Sequence, residues 1–185
     1  MNFLELYGGN FSGYKAFEAN PNSFDKLLQT ISYLPSKIKS LITVHALGVS
    51  DTSGKDTLSD IGAGSQISSD GTLGIDVCRL DDKAYDFEPS LIKMDIESSE
   101  TRALLGAYNI INDYHPILAI SIYHNPEDLV DIPLWIKKTY PYYKIYTRKY
   151  YSTYTSMYEF VLYAIPPERL KVGATKKTKK PPTKL

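Results

Sequence analysis

Four side chains in this sequence have the types and spacing to move a proton or gather around a cation: Asp95, Glu97, Glu100 and His124. Asp95 lies near the end of one short apolar run, residues 91–96, and His124 closes another, residues 116–124. An imidazole titrates near neutrality, so His124 is the best single candidate for a general base. The acids have a plain reading and a sharp one. Acids in a helix's first turn stabilise the helix by up to about 1 kcal/mol each. The same acids could instead position a substrate hydroxyl or a divalent cation. Asp95 and Glu97 are taken as candidate site carboxylates beside His124, and Glu100 as mainly structural. His45 sits within an apolar run and reads as core, while His115 precedes Pro116 in a loop. No pair of histidines has metal-ligand spacing, so no metal ligand is assigned. Neither a Ser-His-Asp or Cys-His order nor a Walker or zinc motif is present.

The elements that must position these groups are legible from periodicity. Between the two apolar runs, a helix starting near Ser98 carries Ala103, Leu104, Ala107, Ile110 and Ile111 on one face. This is a βαβ pattern with polar groups at the carboxyl ends of its strands, where open α/β sheets place their sites. Residues 117–123 form a continuous apolar run, as expected of a central strand covered on both faces.

Upstream, residues 2–7 read as the end of a helix stopped by Gly8-Gly9. Residues 14–18 read as a short strand. Asn20-Pro21-Asn22-Ser23 then opens a helix whose apolar face is Phe24, Leu27, Leu28 and Ile31. Residues 41–47 are predicted to be a buried strand and 48–54 a polar turn. Residues 55–80, punctuated by Gly62, Gly64, Gly71 and Gly74, are predicted to be an irregular or hairpin excursion beside the main sheet. The glycines of residues 8–13 follow a helix and precede a strand, the reverse of a phosphate-cradling turn, and so read as a loop.

Downstream, residues 127–138 are helical, and 142–147 and 158–165 are tyrosine-rich strands forming a closing antiparallel pair. Their tyrosines read mainly as sheet packing. Pro166-Pro167 ends the fold. Strands alternating with helices and then a terminal hairpin predict an α/β sandwich.

The chain has 185 residues, enough for one domain with a real core. Its equal count of acids and bases conceals an asymmetry. Residues 171–185 hold six lysines and no acid, which leaves 15 basic against 21 acidic residues in the body, a net charge of −6. Such a body is a poor surface for nucleic-acid phosphates. The expected organisation is a single domain over residues 1–167 followed by a basic, disordered tail over 168–185. No apolar run is long enough to span a bilayer, and no leader pattern suggests secretion. The lone Cys78 fits a reducing, cytoplasmic setting.

Several stretches resemble one family: Ala16-Phe17-Glu18-Ala19-Asn20-Pro21, Ile92-Lys93-Met94-Asp95-Ile96-Glu97-x-x-Glu100, Leu105-Gly106-Ala107, and Leu118 to His124 followed by Asp128 and Ile132-Pro133. Together they resemble the FkbM methyltransferases over about residues 3–165. The resemblance implies S-adenosylmethionine as cofactor, with divalent-metal dependence left open, and a hydroxyl of a sugar, glycan or natural product as acceptor. It implies a class I, Rossmann-like methyltransferase sandwich, a mostly parallel sheet with a C-terminal antiparallel hairpin.

By the same resemblance Glu18 is the acid that holds the cofactor's ribose hydroxyls. From spacing alone it reads as a solvated strand-end carboxylate. A carboxylate can accept both diol protons, and charge-assisted bonds are stronger than neutral ones.

The sequence departs from the family in two places. Glu97-Ser98-Ser99-Glu100 stands where the family usually has Glu-Gly-Ala-Glu. Serines suit a helix start, whereas glycine permits close backbone approach. The first strand and its Gly-containing cofactor turn are expected to precede residue 1, leaving the sheet N-terminally incomplete with two unpaired edges between the strands ending at Glu18 and Ile96. That predicts low stability and weak activity for the chain by itself. The competing expectation is a non-catalytic α/β remnant or interaction module completed by a partner's strand.

Overall fold

The computed structural model describes residues 10–59, 66–67, 70–150 and 160–170. Nine strands and six α-helices are described. The strands are β1 (Tyr14–Phe17), β2 (Ile42–His45), β3 (Gly48–Val49), β4 (Gly54–Leu58), β5 (Leu73–Cys78), β6 (Leu91–Met94), β7 (Ile117–Ser121), β8 (Lys144–Lys149) and β9 (Phe160–Ile165). The helices are α1 (Pro21–Ser32), α2 (Ser36–Lys39), α3 (Leu80–Lys83), α4 (Glu100–Leu105), α5 (Tyr108–Tyr114) and α6 (Asp128–Thr139).

The expected mostly parallel sheet is not what forms, since antiparallel pairings are as many as parallel ones among the described strands. Among the described residues three sheets appear: β1-β2, β3-β5-β4 and β6-β7-β9-β8. β1 and β2 are parallel, as are β6 and β7, and β9 runs antiparallel to both β7 and β8. Among the described residues β1 bonds only to β2 and β6 only to β7, so each keeps one unpaired edge. A second correction concerns residues 48–54. They begin and end in strand, because β3 lies parallel to β5 and turns the β4–β5 hairpin into a three-stranded sheet.

The core forms where periodicity placed it. Leu118, Ala119, Ile120 and Ser121 are buried in succession, so β7 is covered on both faces. Ala103 and Leu104 pack against it from α4, Ala107 from the junction, Ile110 and Ile111 from α5, and Ile132 and Ile136 from α6, all 0–1% exposed. Each such aliphatic chain contributes roughly 1.5–3 kcal/mol by leaving water.

The predicted helix over this stretch starts two residues later than expected and breaks at Gly106. A Cβ at Gly106 would collide with the Ser50 carbonyl, whose carbon lies 2.9 Å from it. Asp81 then caps α5 from outside, accepting from the N–H groups of Asn109 and Ile110 at 3.2 and 3.0 Å.

α1 is capped as its sequence implies. The Asn20 side chain accepts from Asn22 N and Ser23 N, and Pro21 takes the first helical position. Its apolar face is only partly covered, with Phe24, Leu27 and Ile31 half-buried and Leu28 exposed. β2, expected to be buried, is likewise half-buried on most residues.

Tyr140 and Tyr143 are fully buried, their hydroxyls donating to the carbonyls of Tyr108 and Pro116. Contacts continue past Pro166-Pro167. Arg169 donates to the carbonyls of His115 and Tyr114, where α5 ends. The expectations for residues 2–9, the Gly62–Gly64 stretch, Tyr158 and the lysine-rich tail fall outside the described residues.

Candidate active site

Because β6 and β7 are parallel and adjacent, their carboxyl ends lie side by side. Asp95 follows β6 directly, and His124 lies three residues past β7. The chain leaves β6 through a tight turn in which Glu97 (φ 51°) and Ser98 (φ 70°) are both left-handed. That turn brings Glu100, the first residue of α4, back so that its Oε1 accepts the Ile96 N–H at 2.9 Å. Ser99, at the N-cap, makes no capping bond with its side chain.

The same Glu100 oxygen lies 2.8 Å from His124 Nδ1, with the two side chains 1% and 6% exposed. A carboxylate oxygen that already accepts a backbone N–H is an acceptor, so Nδ1 carries the ring hydrogen. Across the ring, Nε2 is 3.5 Å from Glu97 Oε2 and 3.7 Å from Asp95 Oδ1. These are charge contacts, too long for hydrogen bonds. Nε2 is buried and has no hydrogen-bond partner among the described residues, and the same holds for Glu100 Oε2.

Asp95 is held by Tyr123 OH at 3.1 Å and Lys93 Nζ at 3.2 Å, and the Tyr123 ring packs 4.2 Å from that of His124. Asp128, buried at the start of α6, accepts from Asn125 N and Nδ2.

The electrostatics follow from this crowding. Burial disfavours a charged His124. The hydrogen bond to Glu100 and the charges of Glu100, Glu97 and Asp95 outweigh it, raising the pKa above its ordinary 6.5. Burial also acts against ionised Asp95, yet Lys93, Ser121 and Tyr123 hold its pKa below the usual value. Asp128 is pushed up, chiefly by burial, with the Glu100 charge adding to it.

The structure therefore brings three of the predicted site residues, His124, Asp95 and Glu97, into one group. Glu18 belongs to neither this group nor this sheet. It follows β1, where its N–H donates to His45 O at 3.1 Å and its Oε1 accepts from Asn20 N at 2.8 Å. Next to it in sequence, Ala19 helps line a cleft of about 230 Å³ with apolar Phe24, Ala46 and Ile75 and the carboxylates Asp25 and Asp76. Among the described residues no group of three or more His, Cys, Asp and Glu side chains is arranged to hold a metal ion. His45 stacks on Phe17 at 4.8 Å, and His115 pairs with Glu168 at 2.8 Å.

The sequence matches the methyltransferase FkbM domain over residues 3–142. The chain belongs to the FkbM methyltransferase family. Its fold is similar to the crystal structure of methyltransferase FkbM from Methylobacillus flagellatus KT, with 30% identity and a TM-score of 0.71. That similarity covers 87% of this chain and 38% of the other, so the chain spans well under half the length of that relative. No curated protein matches.

Membership gives the turn after β6 a meaning that spacing did not. The resemblance places glycine at position 98, and φ there is 70°, a backbone conformation that glycine adopts without strain. Glu100, expected to be mainly structural, is buried and bonds both the Ile96 backbone and the His124 ring. The signal was present, since the periodicity of Ala103, Leu104 and Ala107 runs back at i−3, i−4 and i−7 to Glu100, on the buried stripe.

Proposed function

We propose that this FkbM chain transfers the methyl group of S-adenosylmethionine to a hydroxyl oxygen of a sugar or other natural product, with His124 as the base. The observation that carries the reading is the buried, unpartnered Nε2 of His124 at the carboxyl end of β7, faced by two carboxylates. A buried polar atom without a partner is costly, and an acceptor hydroxyl would satisfy it.

The residues near β1 fit the cofactor. Oε1 of Glu18 accepts from Asn20 N, and its second oxygen, without a bond among the described residues, can take ribose hydroxyls. The neighbouring cleft has apolar walls for a purine ring and two carboxylates that can accept from an exocyclic amine. The cofactor supplies an electrophilic methyl group on a positively charged sulfur. Everything else falls to the chain. Nε2 of His124 takes the acceptor's hydroxyl proton, and the imidazolium so formed is stabilised by Glu100, Glu97 and Asp95. Asp95 and Glu97 accept from the acceptor's other donors and orient it.

Two variants test this reading. His124→Asn is expected to lower kcat about 10²–10⁴-fold while S-adenosylhomocysteine still binds in a calorimeter. Glu18→Ala is expected to weaken that binding by about 10-fold or more. Unchanged turnover in His124→Asn, or no binding of S-adenosylhomocysteine by folded wild-type protein, would overturn the proposal.

A further inference from the structure

We propose that Glu100 is the positioning residue of this site: its buried carboxylate fixes His124 in the tautomer that presents a bare Nε2 to the acceptor. This deepens the reading above and rests on His124 as the base. The proposal stands on geometry. Glu100 is 1% exposed, and one of its oxygens is shared between Ile96 N at 2.9 Å and His124 Nδ1 at 2.8 Å. The backbone bond anchors the carboxylate to the turn that follows β6, so the ring is aligned against a fixed point on the main chain.

The other tautomer would turn an Nδ1 lone pair onto a carboxylate oxygen inside a buried pocket, which is repulsive. The opposite arrangement on the far side of the ring reinforces the choice. Glu97 and Asp95 stand 3.5 and 3.7 Å from Nε2, outside hydrogen-bond range, so they do not hold a hydrogen there. Around the imidazole the charged and titratable neighbours are Glu100 from α4, Asp95 and Glu97 from the turn, Tyr123 from the end of β7 and Asp128 from α6. Glu100 alone among them bonds the ring directly.

The test is nitrogen NMR of histidine-labelled protein, with His124→Asn assigning the signal among the three histidines. In the wild type at alkaline pH, Nδ1 is expected to be the protonated nitrogen. Glu100→Gln retains an acceptor oxygen but no charge, so the tautomer should persist while the His124 pKa falls by about one unit. Glu100→Leu fills similar space and accepts nothing, so the two tautomers should mix.

A protonated Nε2 in the wild type would overturn the inference without any variant having to fold. So would a pKa unmoved in Glu100→Gln. An Nδ1-protonated ring in a protein that transfers no methyl group would uphold the positioning and sink the catalytic reading. An Nε2-protonated ring in an active enzyme would sink both the positioning and Nε2 of His124 as the base, leaving only methyl transfer itself.

Discussion

Ser98 sits in a backbone conformation that a side chain makes costly. Its φ of 70° follows another left-handed residue, Glu97, in the turn that delivers Glu100 to the histidine. A non-glycine residue in this region costs roughly 1–2 kcal/mol, part of which glycine returns through its greater freedom in the unfolded chain. Ser98→Gly is therefore expected to stabilise the protein by about 0.5 kcal/mol, read as a higher urea midpoint at constant slope.

His124 makes a second residue-scale expectation, in pH. Its folded pKa lies above the ordinary 6.5, so the stability it contributes is complete below that value and is lost as pH rises through the folded pKa. Urea midpoints measured upward from about pH 6.5 should fall in the wild type and stay flatter in His124→Asn. Asp95 works at the other end. Its lowered pKa means its contribution is present above 3.8 and disappears as pH falls through the folded value.

At the scale of elements, the break between α4 and α5 is set by one close approach. Gly106 passes so near the Ser50 carbonyl that Gly106→Ala must displace main chain, at a cost of about 3 kcal/mol, measurable in the same urea titration. Arg102 ties the two parts further, pairing with Asp51 and Asp56 at 2.9 and 3.1 Å, though this half-exposed pair contributes little.

Much of the βαβ unit was legible, because the run at 117–123 and the stripe from Ala103 to Ile111 are local patterns with fixed periods. The site was half legible. Asp95 and His124 could be paired because parallel strands align their carboxyl ends. That the ring would land on Glu100 depended on two left-handed residues, and φ at serine and glutamate leaves no trace in composition. The strand at Gly48–Val49 was illegible for a related reason: two residues become a strand only because distant Val77 and Cys78 lie alongside.

At the scale of the whole molecule, β1 and β6 each have an edge that is unpaired among the described residues, and such edges invite edge-to-edge association. Purified chain is expected to melt broadly and to self-associate. Sedimentation and calorimetry showing a monomer with one sharp transition would contradict this.

The order β6-β7-β9-β8 has a consequence for how the chain is made. The last strand in sequence lies between two earlier ones, with Leu162 and Ala164 wholly buried where it passes beside Leu118 and Ile120. Synthesis runs from the N-terminus, so β7 and β8 leave the ribosome with nothing to join them. They must wait until residue 165 emerges and the seam can close. The family match at residues 3–142 therefore marks inherited sequence and not a folding unit, and a nascent chain halted at its end would still be open and exposed to chaperones.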